Sequence, residues 1–205
     1  MEKSIFFFNR HPDRSPDNFE HHYINNHAVL GKRLTRCLLG YTVNLRAAAG
    51  WPAAVTEHWV SSVMDLLTPA IAYENMDDFN AVFVDDQSMF QSFDLYVITD
   101  ETLFVNGAIP PAPLEKMTPG VKMIERFDDC CSLPPPHPKA VRVVDNTVSH
   151  KLALADDFSW NKVDPGMRVI RMSWFKDVAD VGEIEEAAWL AQEYRFIAPR
   201  SWPEA

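Results

Sequence analysis

The chain has 205 residues, 47% of them hydrophobic, and a formal net charge of −10. That length permits one domain or two small ones, and the composition is that of a globular protein. An acidic chain lacks the electrostatic footprint of a nucleic-acid binder, and no apolar run approaches the roughly 18 residues needed to cross a bilayer, so neither nucleic acid nor membrane is an expected partner.

Met1-Glu2-Lys3-Ser4 leads into a strand pattern without a basic segment, apolar stretch and cleavage site in sequence. Three cysteines, Cys37 and the adjacent Cys130 and Cys131, make an odd count, and neighbouring cysteines do not readily meet disulfide geometry. A reducing cytoplasm is the expected location.

Ile5-Phe6-Phe7-Phe8 is a short apolar run of the kind found in strands buried on both faces. Ser15-Pro16-Asp17 then reads as a helix start, with Ser as cap, Pro at the first helical position and an acid near the positive end. At helical spacing Phe19, Tyr23, His27, Leu30 and Leu34 share one stripe, and His22, Asn26 and Val29 the next. Gly40 to Arg46 alternates as a half-buried strand, and Val55 to Val60 is a third. Helical segments are expected around Ser62 to Leu67, which Pro69 should interrupt, and around Asp77 to Val84. Phe93 to Thr99 and Thr102 to Val105 follow as strand, with Asp100-Glu101 a turn or bulge between them. Strand, helix, strand, strand, helix, strand is the order of a ferredoxin-like unit.

Prolines at 110, 111, 113 and 119 make residues 106–120 the expected linker between a unit at 1–105 and a second at 121–205. In the second unit Val121 to Phe127, Ala140 to Val148 and Val169 to Phe175 are strand-like, and Glu183 to Tyr194 carries a helical pattern with Ile184, Ala187, Ala188 and Ala191 on its apolar face. Trp59 to Leu66 aligns without gaps on Trp174 to Val181, and Tyr41-Thr42-Val43-Asn44 on Val143-Val144-Asp145-Asn146, which suggests a degenerate internal duplication. The proline-rich run after Cys131 cannot be a helix, so the second unit has no counterpart of the polar helix.

His27 is the leading general acid or base, since an imidazole titrates near neutrality; a core histidine bonded to a carbonyl or to Tyr23 is the competing account. Tyr23, one turn earlier, can orient it or donate to an oxyanion, and His22 with Asn26 forms the adjoining stripe. Arg10 is placed to bind a carboxylate or phenolate, or to pair with Asp13 or Asp17. Asn44 lies on the polar face of its strand, exposed or donating to substrate, and His58 and Trp59 stand at the end of the third strand, His58 as a second acid–base candidate. The pairs Asp77-Asp78, Asp85-Asp86 and Asp128-Asp129 read as solvated turns. His22 and His27 are five positions apart, where two metal ligands on one helix face need three or four, so no metal is expected; Cys130 and Cys131 read as buried small residues. No glycine-rich phosphate loop or nucleophile elbow is present.

Arg10, the start Ser15-Pro16-Asp17-Asn18-Phe19 and the run Phe19 to Leu30 with Tyr23 and His27-Ala28-Val29-Leu30 resemble the EthD family of the dimeric α+β barrel superfamily, Val29 replacing the family's usual proline. Glu57-His58-Trp59 resembles its acid-x-Trp strand end. The resemblance implies an α+β, ferredoxin-like barrel in which a four-stranded sheet carrying two helices closes against a second unit, here supplied by tandem degenerate repeats in one chain, with a homodimer as a further assembly. It implies a cofactor-free lyase or isomerase acting on a small aromatic or polyphenolic compound. The alternatives are a cofactor-free or haem-type monooxygenase of that superfamily, or a non-catalytic ligand-binding accessory of an oxidoreductase system.

Overall fold

A computed structural model of the chain describes residues 1–46, 51–108, 112–131, 133–156, 159–184 and 188–199. Its first half contains β1 (Glu2–Arg10), α1 (Pro16–His22), a π-helical turn (Tyr23–His27), α2 (Ala28–Leu34), β2 (Leu38–Arg46), β3 (Ala54–Val60), α3 (Val63–Leu66), α4 (Pro69–Ala72), α5 (Met76–Met89) and β4 (Phe90–Val105). The second half contains β5 (Val121–Phe127), β6 (Arg142–Leu154), β7 (Trp160–Val163), β8 (Val169–Phe175), a 3₁₀ turn (Val178–Asp180) and β9 (Ala188–Ile197).

The strands form one antiparallel sheet in the order β4-β1-β3-β2-β9-β5-β8-β6, and β6 pairs back onto β4 to close an eight-stranded barrel, with β7 added to β6 as a hairpin. Closure removes the open edges that a free sheet would present. Each half contributes the same order, with β9, β5, β8 and β6 standing where β4, β1, β3 and β2 stand. The register agrees: Lys3 faces Trp59 across β1 and β3, and Lys122 faces Trp174 across β5 and β8.

Period-two alternation sorts β1 onto two cores. Ile5 and Phe7 join Val55, Tyr96, Ile124, Ile170 and Met172 inside the barrel, whereas Phe6 and Phe8 join Phe19, Tyr23, Tyr41 and Met89 under the helices. The helix begins as its sequence requires, the Ser15 hydroxyl accepting from the Asn18 amide at 3.2 Å and Pro16 at its first position. At its middle the Ala28 amide bonds the Tyr23 carbonyl, five residues back. This widened turn keeps Tyr23 and His27 buried and brings Ala28 inward while Val29 is exposed.

Three elements differ from expectation. Of the helix expected over Glu183 to Tyr194, residues 185–187 lie outside the described residues, and from Ala188 the chain is instead β9, hydrogen-bonded between β2 and β5. Sheet pairing on both sides outweighs a weak alanine-rich helical pattern, and Trp189, Ala191 and Glu193 alternate inward. β4 runs unbroken through both expected strands, with register shifts around Ile98. α5 is longer than expected, capped by the Asn75 side chain on the Asp78 amide and ending at Met89.

In the second half a proline-rich loop takes the place of the helix. Its Pro134 carbonyl accepts from Arg171, whose guanidinium also grips buried Asp145 in a bidentate pair on the outer face of β8 and β6. Cys130 and Cys131 on this loop are exposed rather than buried. Residues 112–120 lie along β9, the Glu115 and Thr118 amides bonding the Arg195 and Glu193 carbonyls at 2.7 Å each. Among the described residues no helix is long and apolar enough to cross a membrane.

Candidate functional site

Two polar clusters stand out, one on each face of the first half's sheet. The first lies between the π-helical turn and α5. His27 Nδ1 is 2.8 Å from Asp85 Oδ2, and His22 Nε2 is 2.7 Å from Asp85 Oδ1, so one carboxylate holds both imidazoles. Burial works to raise the Asp85 pKa, but the hydrogen bonds and charges of His27 and His22 outweigh it and hold Asp85 below its ordinary value. An ionised carboxylate only accepts, so His27 donates from Nδ1, and in the neutral form of the ring the lone pair is on Nε2. Asp86 Oδ1 is 3.7 Å from the same Nδ1, and burial pushes its carboxyl up to about 6 against the pull of His27.

Aromatic rings enclose His27. Tyr23 meets it edge-on at 4.8 Å and Phe90 at 5.1 Å. Burial pushes the Tyr23 hydroxyl well above the usual phenol range, and the neighbouring Tyr41 adds to it. His58, on β3, stacks on Tyr41 at 4.8 Å and meets Phe6 edge-on at 5.1 Å. Burial, with His27 nearby, lowers the His58 pKa to about 3, so the ring is neutral.

The second cluster lies inside the barrel. Lys122 donates to Asn44 Oδ1 at 2.8 Å, Glu57 Oε1 at 2.6 Å and Glu193 Oε2 at 2.9 Å. Lys3 reaches the other Glu57 oxygen at 2.8 Å, Glu101 at 2.8 Å and Asn146 Oδ1 at 2.7 Å. The ammonium groups sit over the rings of Trp174 and Trp59, at 4.3 and 4.5 Å. Each lysine thus takes its Asn from the opposite half, and Glu57 bridges the two. Burial would raise Glu57, yet Lys122 and Lys3 hold it well below the carboxylate range.

The structure therefore divides the residues expected to form one site. His27, Tyr23, His22 and His58 come together on the helix side. Asn44 and Trp59 do not join them: strand alternation turns both into the barrel, where they belong to the lysine network, and Asn44 is neither exposed nor facing His27. Asn26 is exposed, because the π-helical turn directs its neighbour His27 inward and leaves it on the outer side. Arg10 sits half-buried at the end of β1, pairing in register with Phe90. Arg14, rather than Arg10, ties the helix start to α5, through Asn18 and Ser88.

Asp85 and Asp86 do not form the solvated turn that their sequence suggests; they lie on α5 facing the first helix. A signal exists: Val82 and Met89, the buried residues of α5, are seven apart, and Asp85 and Asp86 fall between them on the same stripe. Asp129, Cys130 and Cys131 form an exposed group close enough in space to ligate one ion, although spacing along the chain points to no metal site.

No protein-family model matches the chain, the EthD family included, and no curated protein matches it. Among solved structures, one described as an anthrone oxidase-like protein superposes with a TM-score of 0.60 at 10% identity, covering 95% of this chain and 93% of that one. A second, described as a "putative monooxygenase" from Lactobacillus acidophilus NCFM, gives 0.47 at 9% identity over 95% of this chain and 93% of that one. At such identity the likeness to the first establishes an α+β barrel fold and nothing finer.

Proposed function

We propose that the chain is a cofactor-free oxygenase acting on an electron-rich polycyclic ketone or phenol with an acidic C–H, of the anthrone kind. The observation that carries this reading is the His22–Asp85–His27 relay inside an aromatic enclosure. His27 Nε2 takes the proton from the substrate carbon, and Asp85 stabilises the imidazolium through Nδ1–H. The resulting carbanion, spread over the rings and onto a conjugated oxygen, passes an electron to dioxygen. Recombination gives a hydroperoxide, which loses water as the second C–H proton leaves. In sum, a ring methylene and one dioxygen become a ring carbonyl and one water. The four electrons come from the substrate, and no added reductant is required. Resemblance to an anthrone oxidase-like fold supports this choice over the lyase or isomerase reading, which draws on the same His27.

The barrel is closed within one chain, so we read its two halves as fused degenerate repeats with a single competent site. On the second half's outer face Val143 and Ser173 stand in register where the first half has Tyr41 and His58, and the Arg171–Asp145 pair stands where it has Thr56 and Val43.

The test is oxygen uptake with anthrone. One dioxygen consumed per substrate, with the rate falling about 10²- to 10⁴-fold in His27→Gln, is expected. Turnover that continues under argon would refute the oxygenase reading.

A further inference from the structure

His58 is half-buried, but its Nδ1 lies inside at a cost that its packing does not explain. Its Nδ1 is shielded from solvent and has no hydrogen-bond partner among the described residues. A buried polar atom left unpaired is destabilising, and phenylalanine would fill the same stacked position between Tyr41 and Phe6 without it. The ring is in the right place to act. It lies on the helix-facing side of β3, in register with Tyr41 on β2, within the core that also holds Tyr23. His27 is near enough for its charge to act on the ring.

We propose that His58 binds the substrate's oxygen, its unpaired Nδ1 hydrogen-bonding the ring-conjugated carbonyl or phenol oxygen of a flat aromatic substrate while Tyr41 stacks behind it. This rests on the oxygenase reading above and deepens it, because it specifies that the substrate carries an oxygen conjugated to the carbon that His27 deprotonates. When that proton leaves, negative charge develops on the same oxygen. A neutral imidazole bearing its proton on Nδ1 then strengthens its hydrogen bond in the transition state without becoming an acid itself. A more basic imidazole there would instead compete with His27 for the proton; the low pKa of about 3 keeps His58 out of that role at neutral pH.

The experiment separates binding from turnover. Binding of 1,8-dihydroxyanthraquinone, a flat and redox-stable aromatic ketone, is titrated under argon by quenching of tryptophan fluorescence in wild type, His58→Phe and His58→Gln, with the melting temperature of each recorded. Expected is a loss of affinity of about tenfold or more in His58→Phe, the worth of one hydrogen bond, together with a melting temperature equal to or above wild type. His58→Gln, which keeps a donor, should recover part of the affinity. Wild type that fails to bind the quinone, or His58→Phe that binds as tightly as wild type, overturns the assignment. So does a His58→Phe variant that melts lower and loses affinity no more than His58→Gln, since His58 would then be structural. If wild type binds the quinone through His58 but takes up no oxygen with anthrone, the oxygenase reading fails and this assignment stands. If anthrone is oxidised equally well by wild type and His58→Phe, the assignment fails alone.

Discussion

Replacing Lys122 by Met tests the account of the barrel interior most directly. The ammonium is fully buried and serves Asn44, Glu57 and Glu193 at once. Its loss leaves Glu57 with Lys3 at 2.8 Å, and Glu193 with Arg195 at 2.8 Å and the donors Thr118 and Trp174 at 2.9 Å each. Removing one partner of a buried pair costs about 3–5 kcal/mol, because the other charge stays buried. For a chain of this size that lowers the melting temperature by roughly 6–20 °C. The pH dependence has a definite sign. Glu57 and Glu193 are both depressed in the fold, so their stabilisation is present above the unfolded value of 4.5 and is lost as pH falls through the folded values. In the variant both carboxyls relax upward, so the gap to wild type is widest at pH 7 and narrows below pH 4.5. Urea unfolding followed by tryptophan fluorescence at about pH 7 and about pH 4 measures both gaps. Lys151→Met, which breaks the partly exposed pair with Asp94, is the control and should cost no more than about 1 kcal/mol. A Lys122→Met loss below about 1 kcal/mol, or a gap that is the same at both pH values, would refute the reasoning.

Asp85→Asn should reduce oxygen uptake by about 10²- to 10⁴-fold while the far-ultraviolet spectrum is unchanged, since an amide no longer fixes the His27 tautomer; undiminished uptake would remove Asp85 from the mechanism. Gly120 holds φ at +92°, and an added Cβ would lie 2.1 Å from the Phe175 carbonyl oxygen, so Gly120→Ala should lose more than about 1 kcal/mol in urea; a neutral result would mean that the turn can rebuild. Of the three thiols, the exposed Cys130 and Cys131 should react with Ellman's reagent well before Cys37, which burial pushes up to about 11; three equal rates would contradict that placement.

Local signals in the chain are legible where one short segment decides the outcome. The Ser15-Pro16 start needs only the Asn18 amide, and the apolar run at Ile5 to Phe8 becomes a strand whichever neighbours it finds. Expectation fails where partners far along the chain decide. β9 carries an ambiguous alanine-rich pattern that only β2 and β5 resolve, and Lys3 meets Asn146 across 143 positions. The candidate site divides in the same way. Tyr23 and His27 are legible as one helical stripe, but Asp85, 58 positions from His27, is not. Asn44 is expected at the surface or on substrate by the rule that polar strand residues face outward, but this barrel has a charged interior that takes it in.

The closing strand also has a consequence for how the chain folds. β9 lies between β2 and β5, pairing Tyr41 with Ile197 and Ile124 with Trp189, so the last barrel strand in sequence order fills the gap between the halves. Until it arrives during synthesis, β2 presents a bare ladder edge carrying Val43 and Leu45, and the buried Glu57 lacks the full cage around Lys122. The N-terminal half must therefore wait with that edge exposed, and the interval before β9 docks is when strand-to-strand association between nascent chains competes with folding.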